Sequence, residues 1–176
     1  MTPFLEGALA APTRPIAVAV ADFNADITSA LLDGCLQTLW RHVLSEESVT
    51  VARVPGAFEL PLACEALAAT GRYAAVIALG AVIRGETPHF DYVAGECSRG
   101  VMRVMLDHKL PVVLGVLTTD TLEQAQRRAD RKVLRGSAAG EAPRDAKQAP
   151  VSNKGAEAAE VALRMSGLLG RIEEGA

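Results

Sequence analysis

The stretch from Ile16 to Ala21 reads IAVAVA, six apolar residues in succession. Such a run predicts a short strand that is buried on both faces of a sheet. Apolar residues then recur at helical spacing on one face: Ile27, Leu31, Leu32, Cys35, Leu36, Leu39, Trp40 and Val43. A doubly buried strand followed by an amphipathic helix is typical of a parallel sheet, because parallel strands need a crossover connection between them.

The same alternation recurs along the chain. Strand-like segments lie at 49–54, 74–82 and 111–117, and helical patterns run from Pro61 to about Thr70, from about His89, from Asp120 to about Ala129 and from about Gly155 to Leu169. Asp120 followed by Glu123 indicates a capping box for the third of these helices. Four short strands alternating with helices predict an open, doubly wound α/β domain, a three-layer sandwich around a four-stranded parallel sheet.

The 176 residues suit one domain with a sizeable core. Residues 1–15, with three prolines, are expected to form a loosely held arm before a single domain at 16–176. Residues 130–153 are rich in Gly, Ala, Pro, Lys and Arg and have no period. A connection of that length predicts a mobile surface insertion, and a basic patch for some partner is the second interpretation.

Composition disfavours several classes of protein. A net charge of −3, scattered Lys and Arg and only 4% aromatic residues argue against nucleic-acid binding. The apolar run from Tyr73 to Ile83 is far below the ~20 residues of a membrane span. Cys35, Cys64 and Cys97 show no CxxC spacing and fall on apolar helical faces, so buried free thiols and the cytoplasm are expected.

Ligands of open parallel sheets bind beyond the carboxyl ends of the strands. Four loops meet there: Asp22 to Asn24, Pro55 to Glu59, Arg84 to His89, and Thr118 to Asp120. Three residues at this edge could have a structural role instead of binding a ligand. Phe23 could cap the core, Glu59 could be a favourable charge in the first turn of a helix, and His89 could be an ordinary helix residue. The chain has no GxxxxGK[ST], no GxGxxG after the first strand, no GxSxG and no metal-ligand spacing. Residue types and spacing thus predict a ligand-binding domain and leave the reaction open.

Five stretches in order resemble the 6,7-dimethyl-8-ribityllumazine synthase family: FNADITSALLDG (23–34), VPGAFELP (54–61), LGAVIRGETPHFDYV (79–93), GVLTTDTLEQAQRRA (115–129) and NKG (153–155). The resemblance implies a flavodoxin-like fold, rings of five subunits and sites between neighbouring subunits. It further implies a reaction that needs no cofactor, the condensation of 5-amino-6-(D-ribitylamino)uracil with L-3,4-dihydroxy-2-butanone 4-phosphate.

The resemblance also assigns roles to residues. His89 matches the family's acid–base position, Phe23 stacks on the pyrimidine, and Arg128 of a neighbouring subunit binds phosphate. The remaining expected substrate contacts are Ala57, Phe58, Glu59, Ala81, Val82, Ile83, Glu86, Thr87 and, from the neighbouring chain, Leu114, with Lys154 as an assisting cation.

Three features depart from the family pattern. Asp22 replaces a residue that is often basic, Leu114 replaces one that is often aromatic, and the insertion at 130–153 lengthens a connection that is tight in members forming sixty-subunit shells. A pentamer or a dimer of pentamers is therefore expected, with riboflavin synthase as a further partner. Two alternatives stay open: a flavin-binding carrier, and a structural shell subunit with a vestigial site.

Overall fold

The computed structural model describes residues 2, 4–42, 46–135 and 151–175. In these segments strands and helices alternate along the chain: β1 (Ile16–Ala21), α1 (Ala25–His42), β2 (Val49–Val54), α2 (Leu60–Ala69), β3 (Ala75–Ile83), α3 (His89–His108), β4 (Val112–Thr119), α4 (Leu122–Arg128) and α5 (Lys154–Glu173). The predicted α/β class is therefore confirmed. Val43, expected on the face of the first helix, lies outside the described residues.

The four strands form one parallel sheet in the order β2-β1-β3-β4. β1 is central, and all six of its residues are buried, as the unbroken apolar run predicts. β3 pairs with β1 only as far as Leu79, whereas its pairing with β4 continues to Ile83. The carboxyl end of β3 thus extends beyond β1 and has one unpaired edge there.

Helices cover both faces of the sheet and produce two separate cores. Ile16, Val18 and Val20 pack with α1, α4 and α5 on one face. The alternate residues Ala17, Ala19 and Ala21 belong to the other core, with α2 and α3. The alternation follows from the two-residue period of a strand, and it confirms the predicted three-layer sandwich.

The predicted capping box at Asp120 is wrong by one residue. Thr121 is the N-cap of α4, and its side chain accepts a hydrogen bond from the Gln124 backbone N–H at 3.2 Å. Asp120 instead follows β4, which runs to Thr119 rather than ending at Leu117, because Leu117, Thr118 and Thr119 stay paired with β3. α5 likewise extends past the predicted Leu169 to Glu173.

The three cysteines are free and buried, as predicted. Burial raises the pKa of Cys35 to about 12, that of Cys97 to about 11, and, together with the neighbouring Cys97 thiol, that of Cys64 to about 12. Within the described segments, every helix is too short or too polar to cross a lipid bilayer.

The N-terminal arm runs beside α5. Arg171 donates from Nη1 to the Glu6 carbonyl at 3.1 Å, and Leu9 packs against the core beneath that helix. Most of the predicted insertion at 130–153 lies outside the described residues. Its two ends are described, and they are joined: Asp130 N donates to Ser152 O at 3.1 Å, and Ser152 N donates to Arg127 O at 2.9 Å. The chain therefore leaves and re-enters the domain at one point.

Candidate active site

A groove of about 730 Å³ opens at the carboxyl ends of β1, β2 and β3. We call it the first groove. Three of the four loops expected at this edge supply its walls, and the start of α3 closes one side. Its lining residues include Phe23, Asn24, Gly56, Ala57, Phe58, Glu59, Ala81, Val82, Ile83, Gly85, Thr87, His89 and Tyr92.

Two phenylalanine rings stand exposed at the first groove. Phe23 is 70% exposed and Phe58 is 57% exposed. The Phe23 loop is fixed by its backbone, because Asp22 N donates to Val54 O at 2.8 Å and Phe23 N donates to Pro55 O at 3.0 Å. A large ring held on a rigid loop and left in water provides a flat surface on which a planar ligand can stack. The alternative in which Phe23 caps the core does not fit this exposure.

Asn24 joins two of the strands that form the groove. Its backbone is left-handed, with φ at 59°, and its side-chain Nδ2 donates to the Ala81 carbonyl at 2.9 Å. Its own carbonyl accepts from Ile27 N at 2.9 Å, which starts α1. Asn24 thus sets the distance between the end of β1 and the extended end of β3.

The extended end of β3 presents backbone groups to the first groove. Arg84 N donates to Thr119 O, so Arg84 and the alternate residue Val82 direct their backbone groups towards β4. Ala81 and Ile83 then face the side on which β1 has ended. Because β1 pairs no further than Leu79, Ile83 offers N–H and C=O groups to a ligand and Ala81 offers its N–H, while the Ala81 carbonyl already accepts from Asn24; Val82 also lines the groove.

Polar side chains complete the first groove. Glu59 stands at the N-terminus of α2, and His89 is the first residue of α3. Both are exposed, and neither side chain makes a hydrogen bond or ion pair with the described part of the chain. An imidazole that has no protein partner can exchange protons with a ligand in the groove.

The loop between β3 and α3 starts with an anchored arginine. Arg84 donates from Nε to Asp120 Oδ1 at 2.8 Å and from Nη2 to Asp91 Oδ1 at 3.3 Å. These hydrogen bonds raise the pKa of Arg84, the one to Asp120 more than the one to Asp91. Gly85 and Thr87 follow in the groove wall, next to the N-terminus of a 20-residue helix, where backbone N–H groups and the helix dipole favour an anion.

A second groove of about 810 Å³ lies along the edge strand β4, between α4 and α5. Leu114, Arg128, Lys154 and Val161 are among the residues that line it. The side chain of Arg128 makes no ion pair or hydrogen bond with residues 4–42, 46–135 or 151–175. The Lys154 ammonium, by contrast, is paired with Glu157 on the next turn of α5. The insertion does not separate Arg128 from Lys154, because its joined ends return α5 to the end of α4.

The predicted site residues thus fall into two groups on one chain. The first groove brings together Phe23, Ala57, Phe58, Glu59, Ala81, Val82, Ile83, Thr87 and His89. The second groove contains Leu114 and Arg128, and the two grooves share no lining residue. Glu86 is exposed and lines neither groove. As far as the described residues go, a single copy of the chain therefore does not bring the His89 imidazole and the Arg128 guanidinium into one cleft.

A family model described as 6,7-dimethyl-8-ribityllumazine synthase matches residues 14–170 of the chain. The chain belongs to this family. The predicted family is thereby confirmed, and membership indicates a transferase of riboflavin biosynthesis. The match includes both grooves and extends across the insertion to α5.

In this lumazine synthase family member, sequence reasoning missed several residues of the first groove. Asn24 was read only as part of a loop, although an asparagine directly after a buried strand is a common left-handed residue. Gly85 is expected from the resemblance as a backbone donor to phosphate, and it lines the groove. Tyr92 also lines the groove and is not among the expected substrate contacts. Its signal in the sequence is weak, because the first turns of a helix expose residues that belong to no apolar stripe.

Proposed function

We propose that the protein condenses 5-amino-6-(D-ribitylamino)uracil with L-3,4-dihydroxy-2-butanone 4-phosphate to 6,7-dimethyl-8-ribityllumazine, releasing phosphate and water. One observation carries the proposal beyond family membership. An exposed stacking ring and an imidazole lie in one groove, and a guanidinium lies in another; in the described part of the chain neither the imidazole nor the guanidinium has a partner. The first groove alone lacks the guanidinium, and the second alone lacks the stacking ring and the imidazole. Placing the first groove of one subunit against the second groove of its neighbour brings all three groups together.

The pyrimidine substrate fits the part of the first groove that is lined by Phe23 and the end of β3. Its planar ring stacks on Phe23, and its polar edge meets the backbone groups of Ala81 and Ile83 beside Val82. The ribityl hydroxyls meet the turn at Ala57, Phe58 and Glu59, where the Glu59 carboxylate has no partner among the described residues. Leu114 of the neighbouring subunit packs on the other side of the ring.

The phosphate of the second substrate matches the loop before α3. Backbone N–H groups of Gly85, Glu86 and Thr87, with the Thr87 hydroxyl, donate to it at the helix N-terminus. Glu86 takes part through its backbone only, since its side chain lies outside the groove. Arg128 of the neighbouring subunit adds a two-point contact to the phosphate oxygens. Lys154 assists in phosphate binding only when its ammonium leaves Glu157, because the pair as it stands is neutral.

The reaction needs several proton movements. The amine of the uracil forms an imine with the ketone, phosphate is eliminated, the enol rearranges and the ring closes. His89 lines the same groove as Phe23, Gly85 and Thr87, where an imidazole can take a proton in one step and return it in the next. Holding both substrates in contact supplies the larger part of the acceleration, and His89 adds to it.

Assembly follows from the same division of the site. A contact between two different faces of one chain is heterologous, and such contacts form a ring when the rotation from one subunit to the next closes. Apolar side chains are exposed near both grooves: Leu62 and Tyr92 by 74% and 68% on the side of α2 and α3, and Leu122 and Val161 by 52% and 46% on the side of α4 and α5. The proposal is a ring of five, alone or paired, in the cytoplasm, formed by the single domain at 16–176 with its N-terminal arm and insertion. The lumazine product then passes to riboflavin synthase.

Mixing purified protein with both substrates tests the proposal, because the lumazine product is fluorescent. We expect product to accumulate at a rate proportional to protein concentration, and inorganic phosphate to appear in step with it. Binding of the uracil or of riboflavin without turnover would contradict the proposal and favour the carrier. The absence of both binding and turnover would favour the structural shell subunit.

A further inference from the structure

We infer that Arg84 is a positioning residue of the active site. Its guanidinium fixes the loop from Gly85 to Pro88, and with it His89, against the end of β4. The inference rests on the proposed function and adds to it a residue that touches neither substrate. It is carried by the contacts of Arg84, by the lack of other contacts in the loop, and by the direction of its side chain.

Arg84 connects three parts of the molecule. Its backbone N–H donates to Thr119 O at 2.9 Å, which ends the pairing of β3 with β4. Its Nε holds Asp120, just after β4, and its Nη2 holds Asp91, in the first turn of α3. The guanidinium also lies over the Phe90 ring, 4.1 Å from its centre. Arg84, which precedes the loop, thus contacts Phe90 and Asp91, the two residues directly after His89.

The loop itself has little else to hold it. A Cβ added to Gly85 would have no described atom within 4 Å, and residues 84–89 are all exposed. Within the described part of the chain, the only backbone hydrogen bond outside the helix that involves the loop's end joins Asp91 N to Pro88 O at 3.0 Å. Since the His89 ring has no partner of its own there, its position depends on where the first turn of α3 is held.

The Arg84 side chain differs from that of a substrate-binding arginine in two ways: it lies outside both grooves, and two of its N–H groups already donate to protein carboxylates. Gly85, Thr87 and His89 line the first groove, but Arg84, Asp91 and Asp120 line neither groove. Two of the N–H groups of Arg84 donate to carboxylates, whereas the side chain of Arg128 has no partner in the described segments. A planar guanidinium is needed to bond two carboxylates and stack on a ring at once, and a lysine ammonium does not do so.

Kinetics of Arg84→Gln, with Arg84→Lys and Arg103→Gln for comparison, test the inference. Arg103 pairs with Asp107 on the same helix and is remote from its N-terminus, so it controls for the loss of an exposed ion pair. We expect Arg84→Gln to lower kcat on the order of 10-fold and to raise KM for the phosphate substrate, because misplacing a reacting group is costly. KM for the uracil should stay constant, Arg84→Lys should recover only part of the loss, and Arg103→Gln should match the wild type. Equal KM values and equal kcat for Arg84→Gln and the wild type would overturn the inference.

Asp120→Asn separates positioning from phosphate binding. If Arg84 bound phosphate directly, removing the competing carboxylate would lower KM for the phosphate substrate. We expect KM for the phosphate substrate to rise instead. The double variant Arg84→Gln/Asp120→Asn should have the same kcat and KM as Arg84→Gln alone, because both changes break the same contact between Arg84 and Asp120. A lower KM in Asp120→Asn would overturn the inference.

Hydrogen exchange gives a readout that does not depend on turnover. Backbone amides over 85–93 should exchange faster in Arg84→Gln than in the wild type, while those of Arg103→Gln stay at the wild-type rate over the same residues. Unchanged exchange at 85–93 would overturn the positioning role even if the enzyme is active. Absence of product with the wild-type protein would instead contradict the proposed function, so the two failures are distinguishable.

Discussion

The side-chain amide of Asn153 occupies the space beside Gly34 and joins the start of α5 to α1. Nδ2 of Asn153 donates to Ala30 O at 3.0 Å, and its Oδ1 accepts from Ala156 N at 3.1 Å as the helix cap. A Cβ on Gly34 would lie 2.1 Å from that Oδ1. The NKG stretch therefore has a structural role, which we call the joint: it holds the start of α5 beside Arg128 where the chain returns from the insertion.

Gly34→Ala should lower the free energy of unfolding by about 1–3 kcal/mol, because the added methyl group overpacks the joint. Gly170→Ala is the matched control. Gly170 lies in α5 with nothing within 4 Å of an added Cβ, so this change should stabilise the protein by up to about 1 kcal/mol. Thermal unfolding at one fixed protein concentration measures both changes, since assembly makes Tm depend on concentration. Equal Tm values for the two variants would contradict the role of the joint.

Thr121→Ala should weaken binding of the phosphate substrate. It removes the N-cap of α4, worth about 0.5–2 kcal/mol, from a helix of seven residues that ends at Arg128. Fraying of so short a helix moves Arg128, so KM for the phosphate substrate should rise while KM for the uracil stays constant. Thr121→Ser keeps the accepting hydroxyl and should behave as the wild type. A Thr121→Ala enzyme with unchanged KM for the phosphate substrate would show that Arg128 does not depend on the cap.

The buried thiols predict a loss of stability in alkaline solution. The folded protein holds the pKa of Cys35 near 12, above the ordinary value of 9.0, so the unfolded chain releases the proton first as pH rises. This stabilisation is complete below pH 9 and is lost between about pH 9 and pH 12. The measured free energy of unfolding should fall over that range, and the fall should be shallower in Cys35→Ala. Rapid reaction of all three thiols with a thiol reagent at pH 8, without unfolding, would contradict the burial.

The sequence predicted the sheet well because its two inner strands, β1 and β3, are apolar on both faces. It misplaced the cap of α4 by one residue, since the end of β4 is set by pairing with β3, a contact that no local pattern reveals. The loops at the carboxyl edge were also predicted, and they meet. What remained hidden depends on contacts between distant residues: Asn24 with Ala81, Arg84 with Asp120, and the return of Lys154 to the side of Arg128.

The mass of the assembly is the next prediction. We expect light scattering to give five or ten times the 18.5 kDa of one chain, because the connection between α4 and α5 is long. The measurement should be repeated over a range of protein concentrations, to separate paired rings from single ones. A mass near sixty chains would contradict the expected effect of the insertion on assembly.

His89→Ala should lower kcat without abolishing turnover. General acid–base catalysis contributes on the order of 100-fold or more, and the holding of two substrates survives the change. Fluorescence of the lumazine at saturating substrate measures the loss. Complete inactivity, with folding and substrate binding intact, would show that proton transfer outweighs orientation.

The central claim is that each active site takes His89 from one subunit and Arg128 from the next. Subunits carrying His89→Ala and subunits carrying Arg128→Ala should each be weakly active in uniform rings. When the two are unfolded together and reassembled in equal amounts, about a quarter of the interfaces in random rings regain both residues. The account predicts that the mixture reaches about a quarter of wild-type activity per subunit. Activity no higher than the mean of the two variants, with sedimentation showing mixed rings of normal size, would contradict it.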